Sequence, residues 1–118
     1  MRKTITELLQ HYAHVGNVIL VGRAGIATTK NMKNGLHLRF TAPYEWRVNS
    51  LRKRKGFDDI DVVKFIKKHD LKKWKLIEDF CGKKITDIYF DLTINTAAFT
   101  RQQIVSIILE TMKMKNMV

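Results

Sequence analysis

The residues best placed to do chemistry are Gly22-Arg-Ala-Gly25, which end the apolar run Val18-Ile-Leu-Val21 abruptly. Four aliphatic residues in a row read as a strand buried on both faces, here spanning Asn17–Val21. An arginine between glycines at the tip of such a strand faces the crevice where open α/β sheets bind their ligands. Glycine lets an anion approach the backbone, and a guanidinium offers a rigid fork of donors to phosphate. Phosphate binding by Gly22, Arg23 and Gly25 is therefore the chemistry that this pattern implies. The loop GxxxxGK(S/T), which cradles a nucleoside triphosphate, occurs nowhere in the 118 residues.

A second group lies on a long helix expected over about Ile60–Phe80. Its apolar stripe runs through Val62, Phe65, Ile66, Leu76, Ile77 and Phe80, and the helical period places His69 and Lys73 within that stripe, with Asp70 beside it. Polar groups on a core-facing stripe must be satisfied or be useful. The i, i+3 spacing pairs Asp70 with Lys73. Either the helix overhangs the domain and exposes that pair, or it swings over a site and presents both groups to a ligand. Arg47 follows the second expected strand by one helical turn and is the basic residue nearest the crevice. The run Arg52-Lys-Arg-Lys55 reads as a solvated face.

Other chemistries find little support. His11 and His14 share a helix face without a neighbouring carboxylate or thiolate, so no metal site is expected. There is no nucleophile elbow, no Ser-His-Asp order and no carboxylate pair of the glycosidase kind. The single Cys81 permits no internal disulfide, which fits a reducing cytoplasm. No apolar run reaches the roughly 18 residues of a membrane span, and no apolar segment follows the basic start as in a secretory signal.

The elements that must position these residues follow from local signals. A helix is expected over Thr4–Ala13 with Gly16 as its stop, then the Asn17–Val21 strand and a second strand over Leu36–Thr41. Pro43 suits the first turn of a helix that stops near Gly56. Asp58 and Asp59 cap the long helix and Gly82 ends it. A third strand is expected over Ile88–Asn95, and Thr100 with Gln103 makes a capping box for a last helix through Ile104, Ile107, Ile108 and Met112. Short strands alternating with helices give an α/β fold with about three mainly parallel strands. One domain spanning 1–118 accommodates them all, with the region about 47–82 as a helical lid. The net charge of +11 implies either acidic partners, whether nucleotides, nucleic acid or an anionic membrane, or a solubilising lysine-rich surface. No helix-turn-helix, zinc-finger or RNP-like motif favours nucleic acid.

In order, these segments resemble the cytidylate-kinase-like family of P-loop nucleoside monophosphate kinases, from about Leu9 to Met112. Gly22-Arg23-Ala24-Gly25 is similar to the family's G-R segment, whose arginine contacts the acceptor phosphate. His37-Leu-Arg-Phe-Thr-Ala-Pro43 is similar to the next sheet strand. Glu45-Trp-Arg47-Val, with Arg52, resembles the E-x-R helix that enters the lid, and Ile66-Lys-Lys-His-Asp70-x-x-Lys73 resembles the lid's I-K-x-x-D-x-x-R. Tyr89-Phe-Asp91-Leu-Thr-Ile-Asn95-Thr96 resembles the closing D-x-x-I-(N/D)-T strand.

The resemblance implies an incomplete P-loop-kinase-like three-layer domain, the C-terminal part of a kinase without its Walker A loop. It assigns acceptor-phosphate binding to Arg23, charge stabilisation to Arg47 and Lys73, and orientation of the lid cation or acceptor base to Asp70. Lys73 stands where the family has arginine, giving a point charge in place of a bidentate fork. ATP and Mg²⁺ are expected only for an intact member, and this chain is expected to transfer no phosphoryl group alone. Without the family's first strand, a second chain or a second copy is expected to complete the sheet. The rival reading is a non-catalytic domain that binds a nucleotide or a partner.

Overall fold

The computed structural model describes residues 2–22, 25–55, 58–82, 84 and 90–117. Among them are five helices and two strands, in the order α1 (Arg2–Val15), α2 (Gly25–Thr29), β1 (Leu38–Thr41), α3 (Tyr44–Lys55), α4 (Asp59–Cys81), β2 (Leu92–Asn95) and α5 (Arg101–Met114). The mixture is α/β, as expected.

The helix boundaries have local causes. The Asp58 side chain accepts from the Asp61 amide, and Gly82, at φ +66°, takes the left-handed conformation that ends α4. Thr100 and Gln103 form the full capping box of α5, each side chain accepting from the other's backbone amide. Pro43 stands just outside α3, where its carbonyl accepts from the Arg47 amide at 3.1 Å. Helix α2, five residues long, was not legible in the periodicity.

The two strands pair in parallel, Leu38 opposite Leu92 through Thr41 opposite Asn95. Both ends of the pairing are sealed. At the start, Asp91 Oδ2 accepts from the His37 amide at 2.8 Å, and Lys115 reaches the same oxygen at 3.5 Å. At the end, the Thr96 amide and hydroxyl both donate to the Thr41 carbonyl, at 2.8 and 3.0 Å. His37 also ties the sheet to α2. The Thr29 hydroxyl donates to the Gly25 carbonyl at 2.7 Å, so the contact at 2.9 Å is a donation from His37 Nε2 to Thr29 Oγ1.

One expected strand does not form. Asn17–Val21 has no strand pairing and lies open to solvent, with Ile19 87% and Val21 84% exposed. The run has the side chains of a doubly buried strand but pairs with no strand among the described residues, where β1 and β2 pair directly with each other. The described sheet therefore has two strands instead of about three. The third expected strand survives as Leu92–Asn95, and positions 88 and 89 of that expectation lie outside the described residues.

The core is small. Among the described residues Val62, Ile66 and Ile77 from α4 and Ile94 from β2 are its buried apolar side chains. The α4 stripe thus holds at i, i+4 and i+15, while Phe65 and Leu76 at its margins stay exposed. The radius of gyration, 16.0 Å, exceeds the roughly 13.5 Å of a compact domain of this length, in keeping with a flattened body of 43 × 36 × 24 Å. No described helix is long and apolar enough to cross a membrane.

Candidate functional site

Strand β1, the start of α3 and the middle of α4 enclose a cleft of about 610 Å³ at the C-terminal end of the parallel strands. That is the position at which α/β sheets bind ligands, because loops and helix starts diverge there and leave backbone and side chains free to converge. Each wall contributes a cation. Arg39 comes from β1, Arg47 and Arg54 from α3, and Lys73 from α4, against Asp70 as the one carboxylate lining the cleft among the described residues.

The central contact is a charge-assisted hydrogen bond of 2.7 Å from Arg47 Nη2 to Asp70 Oδ1. It joins α3 to α4 across 23 residues of chain. The Asp70 acceptor and its negative charge hold the Arg47 guanidinium above its ordinary pKa, against the opposing effect of burial. The expected pairing of Asp70 with Lys73 on α4 is thereby corrected. Arg47 presents a planar fork from the facing helix and claims the carboxylate, leaving Lys73 to lie over the Trp74 ring at 4.8 Å.

Arg39 takes the same aromatic ring, with Cζ 4.9 Å from its centroid. Its Nε is buried with no hydrogen-bond partner among the described residues, so the π face of Trp74 is what stabilises this cation. Phe65 and His69, one turn apart on α4, stack with ring centroids 5.8 Å apart and line the same cleft. His69 thus belongs to the site's wall, though it stays exposed.

The structure brings Arg47, Asp70 and Lys73 together. It does not bring the glycines of the first motif to them. Gly22, at φ +67°, lines a separate apolar hollow of about 300 Å³ with Leu9, Tyr12 and Val18–Val21. Gly25 opens α2, where its carbonyl accepts from the Thr28 and Thr29 hydroxyls. Arg23 lies outside the described residues.

Sequence reasoning gave no site role to Arg39, Trp46 and Trp74 and read Arg54 as part of a solvated face, yet all four line the cleft. A signal was present: Arg39-Phe40, Trp46-Arg47 and Lys73-Trp74 each set a cation beside an aromatic residue. Among the described residues no group of three or more His, Cys, Asp or Glu is gathered as a metal site would need. Asp70 is committed to Arg47, so the cleft residues do not by themselves build a seat for Mg²⁺.

No curated protein matches the chain. The model of the cytidylate kinase-like family matches residues 1–98, a span that takes in every element from α1 to β2 and every cleft residue named above. The chain belongs to the cytidylate kinase-like family.

Proposed function

We propose that the cleft binds the phosphate end of a nucleotide, as the lid-bearing part of a kinase-like site, and that these 118 residues transfer no phosphoryl group by themselves. The observation that carries the reading is the meeting of Arg39, Arg47 and Lys73, from three elements, at the strand ends. Four cations against one carboxylate leave an excess of positive charge suited to a phosphate monoester or diphosphate. Arg47 holds the ligand while Asp70 fixes the plane of its guanidinium, and Lys73 adds a point charge from the lid helix. In this reading Gly22, Arg23 and Gly25 supply a second phosphate contact. ATP and Mg²⁺ enter only where a phosphate-cradling loop is supplied.

Inactivity alone follows from what phosphoryl transfer requires. The reaction depends on positioning and on charge stabilisation from a backbone cradle and a metal-binding hydroxyl. Loss of one such donor typically lowers the rate by roughly a hundred- to a thousandfold, and the sequence contains no cradle motif. A coupled assay with ATP and CMP is expected to show no turnover above background. Calorimetric titration with CMP is expected to show binding that Arg47→Ala removes. Turnover by the purified chain overturns the first half of the proposal, and binding that is indifferent to Arg47→Ala overturns the second.

A second reading is favoured by the exposure of Ile19 and Val21, 87% and 84%. An extended apolar run without a paired strand is a template for strand addition by another chain, either a second copy or a partner. Size-exclusion chromatography with light scattering tests it. Self-association that Val21→Lys abolishes supports a second copy. A strictly monomeric wild-type chain that also retains no partner counts against it.

A further inference from the structure

We infer that the outward face of α4 is a docking surface for the sugar-phosphate backbone of a nucleic acid, held by Lys64, Lys68, Lys72 and Lys75 without regard to base sequence. The surface is separate from the cleft, and the inference goes beyond the reading given above.

Charge on α4 is segregated. Residues 64–75 hold six lysines and a single carboxylate, Asp70, which Arg47 already engages from α3. Acidic residues return only at the ends of the helix, as Asp61 before the lysines and as Glu78 and Asp79 after them. At about 100° per residue, Lys64, Lys68, Lys72 and Lys75 fall within an arc of ~80° opposite the buried Val62, Ile66 and Ile77. All four are exposed, and none has an ion-pair partner among the described residues. Asp70 and Lys73, which line the cleft, lie toward the buried side of the helix.

This row is unfavourable for the chain alone. Lys64 with Lys68 and Lys68 with Lys72 are like-charge pairs at i, i+4, and Lys72 with Lys75 is one at i, i+3. Such pairs destabilise a helix. A face built only for solubility interleaves the signs, yet no acidic residue stands four positions before any of the four lysines. The helix dipole does not account for them, since it favours cations in the last turn, where α4 has none. A polyanion lying along the row relieves the repulsion.

The regular spacing points to nucleic acid. Successive lysines rise by about 6, 6 and 4.5 Å along the axis. A duplex presents a phosphate charge about every 1.7 Å of its own axis, so each lysine meets one. Ammonium groups on flexible stems adjust to phosphate positions without demanding a single geometry. The arc holds no arginine, asparagine or glutamine to read a base edge and no aromatic ring to stack on a base. Contact is therefore with the backbone, for which no helix-turn-helix or zinc finger is required. An anionic bilayer is a poorer fit, because a helix lying in a membrane interface inserts its apolar face, and that of α4 is buried in the core.

The experiment titrates a fluorescently labelled 20-base-pair DNA duplex with the full chain, reading anisotropy at several salt concentrations. Binding is expected with a dissociation constant of about 10⁻⁴–10⁻⁶ M at physiological salt, equal for a duplex of unrelated sequence. The logarithm of affinity is expected to fall against the logarithm of salt with a slope of about −3.6, from four contacts at −0.9 each. Lys68→Gln is expected to make that slope shallower by about one. Lys68→Glu places an acid between Lys64 and Lys72, so it is expected to raise Tm while weakening duplex binding by about tenfold at 0.1 M salt. A merely structural role for Lys68 would move both downward, which overturns the inference. No duplex binding at low salt overturns it, as does binding that Lys68→Glu leaves unchanged, because the contact would then lie elsewhere. Tighter binding to 20-residue polyglutamate or to phosphatidylserine-containing vesicles than to the duplex assigns the row to an acidic protein or a membrane and overturns the choice of nucleic acid.

Discussion

Replacing Asp70 with Asn separates two things its carboxylate does. The amide keeps an acceptor oxygen toward Arg47, so the 2.7 Å contact survives in form while the charge is removed. A hydrogen bond to a charged group contributes about 1.5–3 kcal/mol when well buried. The Arg47 and Asp70 side chains are 35% and 28% exposed, so solvent screening brings the contribution toward the exposed-pair value of about 1 kcal/mol or less. The expected loss of stability is about 0.5–1 kcal/mol, or about 2–4 °C in Tm for a chain of this size.

Ligand affinity should move the other way. A phosphate on the free edge of the Arg47 guanidinium lies about 6 Å from the Asp70 carboxylate, which repels it by about 0.7 kcal/mol per unit charge in water-like surroundings. Removing that repulsion strengthens binding by about threefold for a monoanion and about tenfold for a dianion at low salt, and by less at about 0.3 M ionic strength. Thermal unfolding and calorimetric titration with CMP read the two effects on the same protein. A variant that loses stability and binds more weakly refutes the reasoning, since Asp70 would then act on the ligand directly or hold Arg47 through charge alone.

Ile94→Ala, at a site 3% exposed, is expected to cost about 3 kcal/mol, seen as a lower urea midpoint; an unchanged midpoint would remove β2 from the core. Thr100→Ala is expected to cost about 1 kcal/mol by breaking the acceptor side of the α5 capping box, with a matching loss of helical signal on warming. Donation by the His37 amide, opposed by burial and aided by the charge of Lys115, holds the Asp91 carboxyl below the ordinary carboxylate range. Its stabilisation is therefore present above the unfolded carboxylate pKa of about 4 and is lost as acid protonates the folded form, so Asp91→Asn should flatten the fall in Tm below that pH.

What the sequence disclosed depended on how local its cause was. The start and stop of α4 are written in Asp58 and Gly82, and the start of α5 in Thr100 and Gln103, because capping is settled within four residues. Strand identity is not local. Val18–Val21 carries strand-forming side chains, but a strand exists only where a neighbour takes up its backbone, and that information lies elsewhere. Helix α2 escaped notice because five residues are too few to show a 3.6-residue period. Asp70 was assigned the partner that its own helix offers, whereas the actual donor comes from α3. The cleft itself was half legible: Arg47, Asp70 and Lys73 stood out as charges near an apolar stripe, while Arg39 was hidden in the ordinary alternation of β1.

The net charge of +11 does not by itself identify the site, because most of it is spread over solvated lysines. Lys64, Lys68, Lys72 and Lys75 are all exposed along one face of α4, directed away from the buried Val62, Ile66 and Ile77. Their flexible stems must be immobilised before they can hold a small anion, which offsets much of the attraction. The cleft arginines differ in being already oriented, Arg47 by Asp70 and Arg39 by Trp74. On the proposed function, the α4 lysines would raise the rate at which an anion arrives, and the oriented arginines would decide which one stays. Oriented cations without a triphosphate cradle in these 118 residues would, on the same proposal, recognise a phosphate without positioning it for reaction.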